Sequence, residues 1–166
     1  LMAGLQLVIT GLALVTWTSA LQGVAEQEAL ADWRAAVDAL REASRETYVH
    51  QAHTFIEGGT AHLDHLEEAD HVLDARIEAV ARLPLPEAPR QALTDIEGAV
   101  VRARLFFREE VVPLAERGAL DRPAAAKRHA QAEELAGAVM AATDRLATAL
   151  EQAQSSERAR VSGQTR

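Results

Sequence analysis

No cysteine occurs in this 166-residue chain. That absence excludes disulfides, thiolate metal sites, covalent c-type haem attachment and cysteine nucleophiles together, so any metal has to bind through histidine and carboxylate. Aromatic residues make up 4% of the chain against 48% for hydrophobic residues as a whole. With Ala, Leu, Glu and Arg dominant, this is the composition of helices packed closely on small side chains, and no strand is expected. Basic residues are in deficit, 17 Lys and Arg to 25 Asp and Glu, for a net charge of -8. They are also interspersed with acids, so no cationic cluster for phosphates forms and nucleic acid is set aside as a partner. A Gly-rich phosphate loop, a Ser-His-Asp set and a metalloprotease helix motif are all missing, and no catalytic residue is expected. The length suits one domain with a continuous core.

From Leu1 to Ala25 there is no charged side chain, and the apolar run to about Trp17 suits a membrane span or the hydrophobic region of a signal peptide. Either implies export. A transmembrane helix over residues 1–20 is favoured over a cleaved signal ending near Ala20 or Ala25. Gln6, Thr10, Thr16 and Gln22 dilute the run and keep a buried soluble helix as a third reading. The sequence opens on Leu1, so the charged flank that would set orientation is expected to precede it.

From Glu26 onward apolar residues recur at three- and four-residue steps, the period of a helix with one buried face. The spacing predicts four helices. The first continues through Leu30, Trp33, Val37 and Leu40 to about Glu57, where Gly58 and Gly59 supply a permissive turn. Thr60 is expected to cap the second, which carries Leu66, Ala69, Leu73, Ile77 and Val80 and stops at LPLPEAP, whose prolines lack amide donors. The third uses Leu93, Ile96, Val100, Ala103, Phe107, Val111 and Leu114, and ends at Arg117-Gly118 after Pro113 weakens its last turns. Asp121 with Pro123 opens the fourth, which turns Ala132, Leu135, Val139, Ala142, Leu146 and Ala149 inward and is expected to fray from about Ser155. Short connections make consecutive helices antiparallel. The expected fold is therefore all-α, an antiparallel up-down-up-down four-helix bundle whose first helix is continuous with the N-terminal membrane span. A second span leading to a cytoplasmic region is expected beyond Arg166.

The stretch YVHQAHTFIEGGTAHLDH, from Tyr48 to His65, holds four of the six histidines around the Gly-Gly turn. At the helical rise, His50 and His53 fall roughly 6 to 10 Å below the distal end of the bundle, His62 and His65 about 3 to 8 Å below it, and Glu109, Glu110 and His129 near ~10 Å. One layer thus draws on all four helices. His62 shares a face with Leu66, Ala69 and Leu73, and Glu110 continues the stripe Ile96, Val100, Ala103, Phe107, so both are expected to point inward. At least one of His50 and His53 flanks the core, as does His129. A buried polar group without a partner costs on the order of 1 to 3 kcal/mol, so the layer needs mutual hydrogen bonds, water or a ligand. Three imidazoles and a carboxylate are a chemically sensible set for Zn, Ni, Co or Cu, and haem held by two axial histidines also suits a bundle core. The candidate ligand-binding residues are His50, His53, His62, His65, Glu110 and His129, with His50, His53, His62, Glu110 and His129 as the metal set. Three readings stay open: a hydrated polar layer, a metal or haem site, and a pocket for a small organic or anionic ligand. Glu68-Ala69-Asp70-His71 fits the Glu-x-x-His motif of di-iron bundles, but the second copy such a site needs is absent. Trp33 reads as core.

The uncharged 1–20 run leading straight into a long helix, followed by YVHQAHTFIEGGTAHLDHLEEAD, resembles the extracytoplasmic four-helix-bundle sensor domains of bacterial histidine kinases and chemoreceptors. The likeness rests on architecture and on that one segment, where a first helix ends at an aromatic, an apolar pair and a Gly-containing turn. Gly58-Gly59 stands where such domains often carry Gly-Asp. The resemblance implies a membrane span at 1–20, a periplasmic ligand-sensing domain at 21–160 and a juxtamembrane tail at 161–166. It further implies a homodimeric receptor of the bacterial inner membrane, first of all a two-component sensor histidine kinase, and assigns no catalytic residue. The His and Glu set also resembles that of periplasmic nickel and cobalt sensors of heavy-metal resistance, whose ligand spacing is not reproduced here. The competing expectation is a stand-alone, membrane-anchored or exported periplasmic metal-binding or stress-response protein.

Overall fold

The structure, a computed structural model, describes the backbone of residues 2–120 and 122–164; the side chains of 2–16, 18–22, 25, 26, 122, 124, 157 and 161–164 lie outside the described set. The elements are α1 (Met2–Glu57), α2 (Leu63–Ala81), α3 (Glu87–Phe106), a π-turn (Phe107–Val111), α4 (Val112–Glu116) and α5 (Arg122–Gln164). Since α3, the π-turn and α4 follow one another without a break, they form one rod, and the described residues make four helical rods. No strand occurs among the described residues.

The chain forms two compact units, Leu1–Ala35 and Ala36–Arg166. In the first, Trp17 is 67% exposed and Val24 is exposed, while Leu30 and Trp33, the latter expected in the core, are half-buried. The membrane span expected over 1–20 falls on side chains that, Trp17 apart, lie outside the described set. Among the described residues no helix is long and apolar enough to cross a membrane.

The second unit holds the core, and Leu40, Val80, Ile96, Val111 and Leu146 are fully enclosed in it. The whole expected stripe of α2, Leu66, Ala69, Leu73, Ile77 and Val80, is buried, because a straight α-helix keeps its period from end to end. On α1 the inner face turns polar, with Ser44, Thr47, Gln51 and Thr54 all buried. Two of these satisfy themselves on their own helix: Ser44 Oγ donates to the Leu40 carbonyl at 2.9 Å and Thr54 Oγ1 to the His50 carbonyl at 3.2 Å.

Glycine ends α1 and the third rod. Gly58, at φ +69°, donates its N–H to the Thr54 carbonyl at 3.0 Å, a left-handed cap on α1. Gly118, at φ +62°, donates to the Ala115 carbonyl while Ala119 donates to that of Leu114, the paired bonds of a Schellman ending. The turn after Gly58 consumes more chain than expected. Thr60 offers only its carbonyl, to the Leu63 N–H at 3.0 Å, and α2 starts at Leu63 with His62 as its N-cap.

Proline 113 reshapes the third rod. It has no N–H, so an α-helix through it leaves the Glu109 carbonyl without its donor. The turn widens just upstream, where the Val112 N–H reaches the Phe107 carbonyl, five residues back. The extra residue rotates all that follows. Phe107, Val111 and Ala115 are buried, whereas Leu114, expected inside, is only half-buried, and Glu110, also expected inside, is exposed. At the other termini, α5 runs on to Gln164 instead of fraying at Ser155, and Asp121, the residue expected to open it, lies outside the described residues.

Phe55, Leu66, Phe107, Val111 and Ala132 make one buried apolar cluster, with Leu63, Phe106, Val112 and Ala125 packed on it. It takes side chains from α1, α2, the π-turn and α5, and it fixes the end of α1 against the start of α2. The reversal between them is the point to probe. Gly58→Ala forces a left-handed Ala and should lower the unfolding free energy by about 1 kcal/mol. Gly59 has no positive φ and nothing within 4 Å of an added methyl, so Gly59→Ala should stay within about 0.5 kcal/mol of wild type. Urea unfolding of the two variants measures the contrast.

Candidate metal centre

Four of the expected ligands stand on the two helix ends joined by the Gly58 turn. His50 and His53 belong to the last turns of α1, His62 is the N-cap of α2, and His65 lies in its first turn. Because the chain reverses between them, the two pairs meet. The His50 ring centroid is 5.6 Å from His65, 6.4 Å from His62 and 6.5 Å from His53. His62 is 4.9 Å from His53 and 5.8 Å from His65. One ligand nitrogen from each of His50, His62 and His65 can be taken so that all three lie within 4.8 Å of one another. A tetrahedral ion with bonds of about 2.0 Å needs nitrogens about 3.3 Å apart. Side-chain shifts of about 1 Å close that gap, within the broad χ2 freedom of an imidazole.

Nδ1 of His50 and Nδ1 of His62 are each buried without a hydrogen-bond partner. Each carries a penalty of about 1 to 3 kcal/mol, and a metal ion, which takes up an imidazole lone pair directly, removes it. His62 has a charged neighbour on its other nitrogen: Glu57 Oε1 lies 2.9 Å from Nε2. Burial, then the rings of His65, His62 and His53, hold His50 below its ordinary value of 6.5 against the opposing pull of Glu46. The imidazole is thereby kept in the neutral form that metals bind. The site also spans the partly negative carbonyl end of α1 and the partly positive amide end of α2, and Glu57 and Asp64 add acidic charge on either side of the turn.

Glu110 and His129 have other company. Glu110, turned outward by the π-turn, is held by Arg128, whose Nη2 donates to Oε2 at 3.1 Å and whose Nε donates to the Glu110 carbonyl at 3.2 Å. His129 stacks on Tyr48 with centroids 6.5 Å apart and planes 7° from parallel, and tilts against Phe55 at 5.3 Å. Its Nε2 is 3.5 Å from the Tyr48 hydroxyl, whose pKa burial, and then Glu133, push up. The carboxylate that does stand at the cluster is Glu57. It follows His53 by four residues and His50 by seven, so the helical period alone puts it on their face.

A second polar constellation joins α2 to α3. Arg104 Nη1 donates to Asp74 Oδ1 at 2.7 Å and Nη2 to the Asp70 carbonyl at 2.8 Å. Its Nε sits 3.0 Å from Asp70 Oδ1, off the hydrogen-bond axis, so that contact is an ion pair only. Burial raises the Asp70 carboxyl above the ordinary carboxylate range, and the Arg104 charge only partly offsets it. With Ser44, Thr47, Tyr48 and Gln51, this pair lines a cavity of ≈ 20 Å³, room for a water or two and too small for an organic ligand.

The low pKa of His50 has a consequence for stability. The unfolded chain takes up the His50 proton near the ordinary value of 6.5, and the folded chain only at lower pH, so folding weakens as pH falls through that range. Urea unfolding from about pH 8 to about pH 5.5 should show the loss, and His50→Gln should flatten it. In comparisons with known proteins, no family model, no curated protein and no solved structure matches this chain, so the convergence of these side chains is what carries the functional reading.

Proposed function

We propose that this chain binds a divalent transition-metal ion, Zn, Ni, Co or Cu, at the junction of α1 and α2. In this reading it is the periplasmic metal-sensing input domain of a membrane-bound signalling receptor, in the first instance a two-component sensor histidine kinase acting as a homodimer. The observation that carries the metal reading is the mutual approach of three ligand nitrogens, from His50, His62 and His65, within 4.8 Å. His53, whose ring is 4.9 Å from that of His62, supplies a fourth imidazole. Neutral imidazole suits these borderline ions. Haem uses two axial imidazoles, and a convergence of three or four fits a bare ion better.

The receptor frame rests on the uncharged N-terminal stretch and on the arrangement of the helices. An up-down-up-down bundle accounts for the contacts in the second unit. Along α1, Arg41 reaches Asp144 and Tyr48, further on, reaches His129, as two antiparallel helices require. The cavity beside Arg104 has walls from α1, α2, α3 and α5. An ion that ties α1 to α2 at their shared turn signals by favouring one packing of these helices over another, since equal affinity for both packings shifts nothing.

Calorimetric titration of the protein with Zn, Ni, Co, Cu and haem in separate runs tests the metal reading. One of the ions should bind one per chain. His62→Ala and His65→Ala should weaken it by well over about tenfold, because loss of even an outer partner of a ligating histidine costs 10- to 100-fold. Glu110→Ala and His129→Ala should leave it unchanged. Absence of binding by every ion, or equal binding by His62→Ala, refutes the reading.

A further inference from the structure

We infer that Glu57 is a positioning residue of this metal centre: it selects the His62 tautomer whose Nδ1 faces the ion. The inference rests on the metal reading above and gives it a direction at one nitrogen. Glu57 Oε1 lies 2.9 Å from His62 Nε2. The contact lies off the N–H axis and is an electrostatic approach, not a hydrogen bond. The carboxylate charge still repels a lone pair on Nε2 and attracts a proton there, so the neutral ring keeps its proton on Nε2. The remaining lone pair is on Nδ1, the atom that is buried without a hydrogen-bond partner. Imidazole, carboxylate and ion then form the chain seen wherever a carboxylate orients a ligating histidine and raises its basicity.

The backbone makes the contact a local one. Glu57 is the last residue of α1 and His62 is the N-cap of α2, so the carboxylate and the imidazole bracket the Gly58 turn. The Glu57 side chain is 52% exposed while that of His62 is 20% exposed. Glu57 therefore touches the ring from the solvent side and leaves the inward side to the ion. Replacing an exposed terminal residue also leaves the core intact, so an effect on metal binding is not an effect of unfolding.

Long-range nitrogen–proton NMR of the imidazoles, with zinc as the probe, tests this. In the metal-free protein at about pH 8, where histidine is neutral, His62 should carry its proton on Nε2. With one equivalent of zinc, Nδ1 should show the metal-bound shift while the Nε2 proton stays. Glu57→Ala should mix the tautomers and weaken zinc about 10- to 100-fold. Glu57→Asp, which keeps the charge on a shorter arm, should recover part of that loss, whereas Glu57→Gln, which keeps the length and loses the charge, should recover less. Zinc on Nε2 of His62, or a His62 tautomer that is unchanged in Glu57→Ala, overturns the positioning role while the metal reading stands. No zinc-dependent change at any histidine of the wild type overturns both.

Discussion

Five buried apolar side chains, Phe55, Leu66, Phe107, Val111 and Ala132, hold the end of α1 against the start of α2, and the histidine cluster depends on that constraint. Burying a Phe or a Leu is worth about 1.5 to 3 kcal/mol, so together they outweigh the penalty of the unpaired nitrogens of His50 and His62. The fold can keep imidazoles in a poorly satisfied arrangement because its stability comes from elsewhere. Phe55 lies edge-on to Phe107 at 5.9 Å and also meets His129 at 5.3 Å. The same ring therefore joins the α1 end that carries His50 and His53 to the π-turn and to α5.

Two local features then set which side chains reach the site. The left-handed Gly58 brings His62 and His65 back beside His50 and His53, and Pro113 acts through the π-turn to swing Glu110 out to Arg128. The carboxylate at the cluster is thus the one that ends α1. An acid at that position does two things at once. It offsets the positive amide end of α2, and it touches His62 from outside, with the inward nitrogen left open.

Much of this was legible in the residue pattern, and the parts that were not have physical causes. The α2 stripe read true from Leu66 to Val80 because nothing interrupts its period, and the glycine ends at Gly58 and Gly118 were visible as turn chemistry. The grouping of His50, His53, His62 and His65 followed from counting residues on either side of a reversal. Glu110 and Leu114 were displaced from their expected faces because a proline upset the period one turn before itself, and a fixed 3.6-residue count carries no signal for an inserted residue. Thr60 did not become the cap because the turn ran on to His62. Glu57 could have been found by spacing from His50 and His53, but a terminal glutamate reads as an ordinary solvated residue until the chain on the other side of the turn is placed. Within residues 1–20 the described side chain is Trp17, and it is exposed.

The functional claim reduces to one physical statement: imidazoles from both sides of a single turn share one ion. X-ray absorption at the zinc edge, on protein loaded with one equivalent of zinc, measures this directly. The predicted spectrum has a first shell of nitrogen at about 2.0 Å and the multiple scattering of at least three imidazole rings. A shell dominated by oxygen, with at most one imidazole, would contradict it.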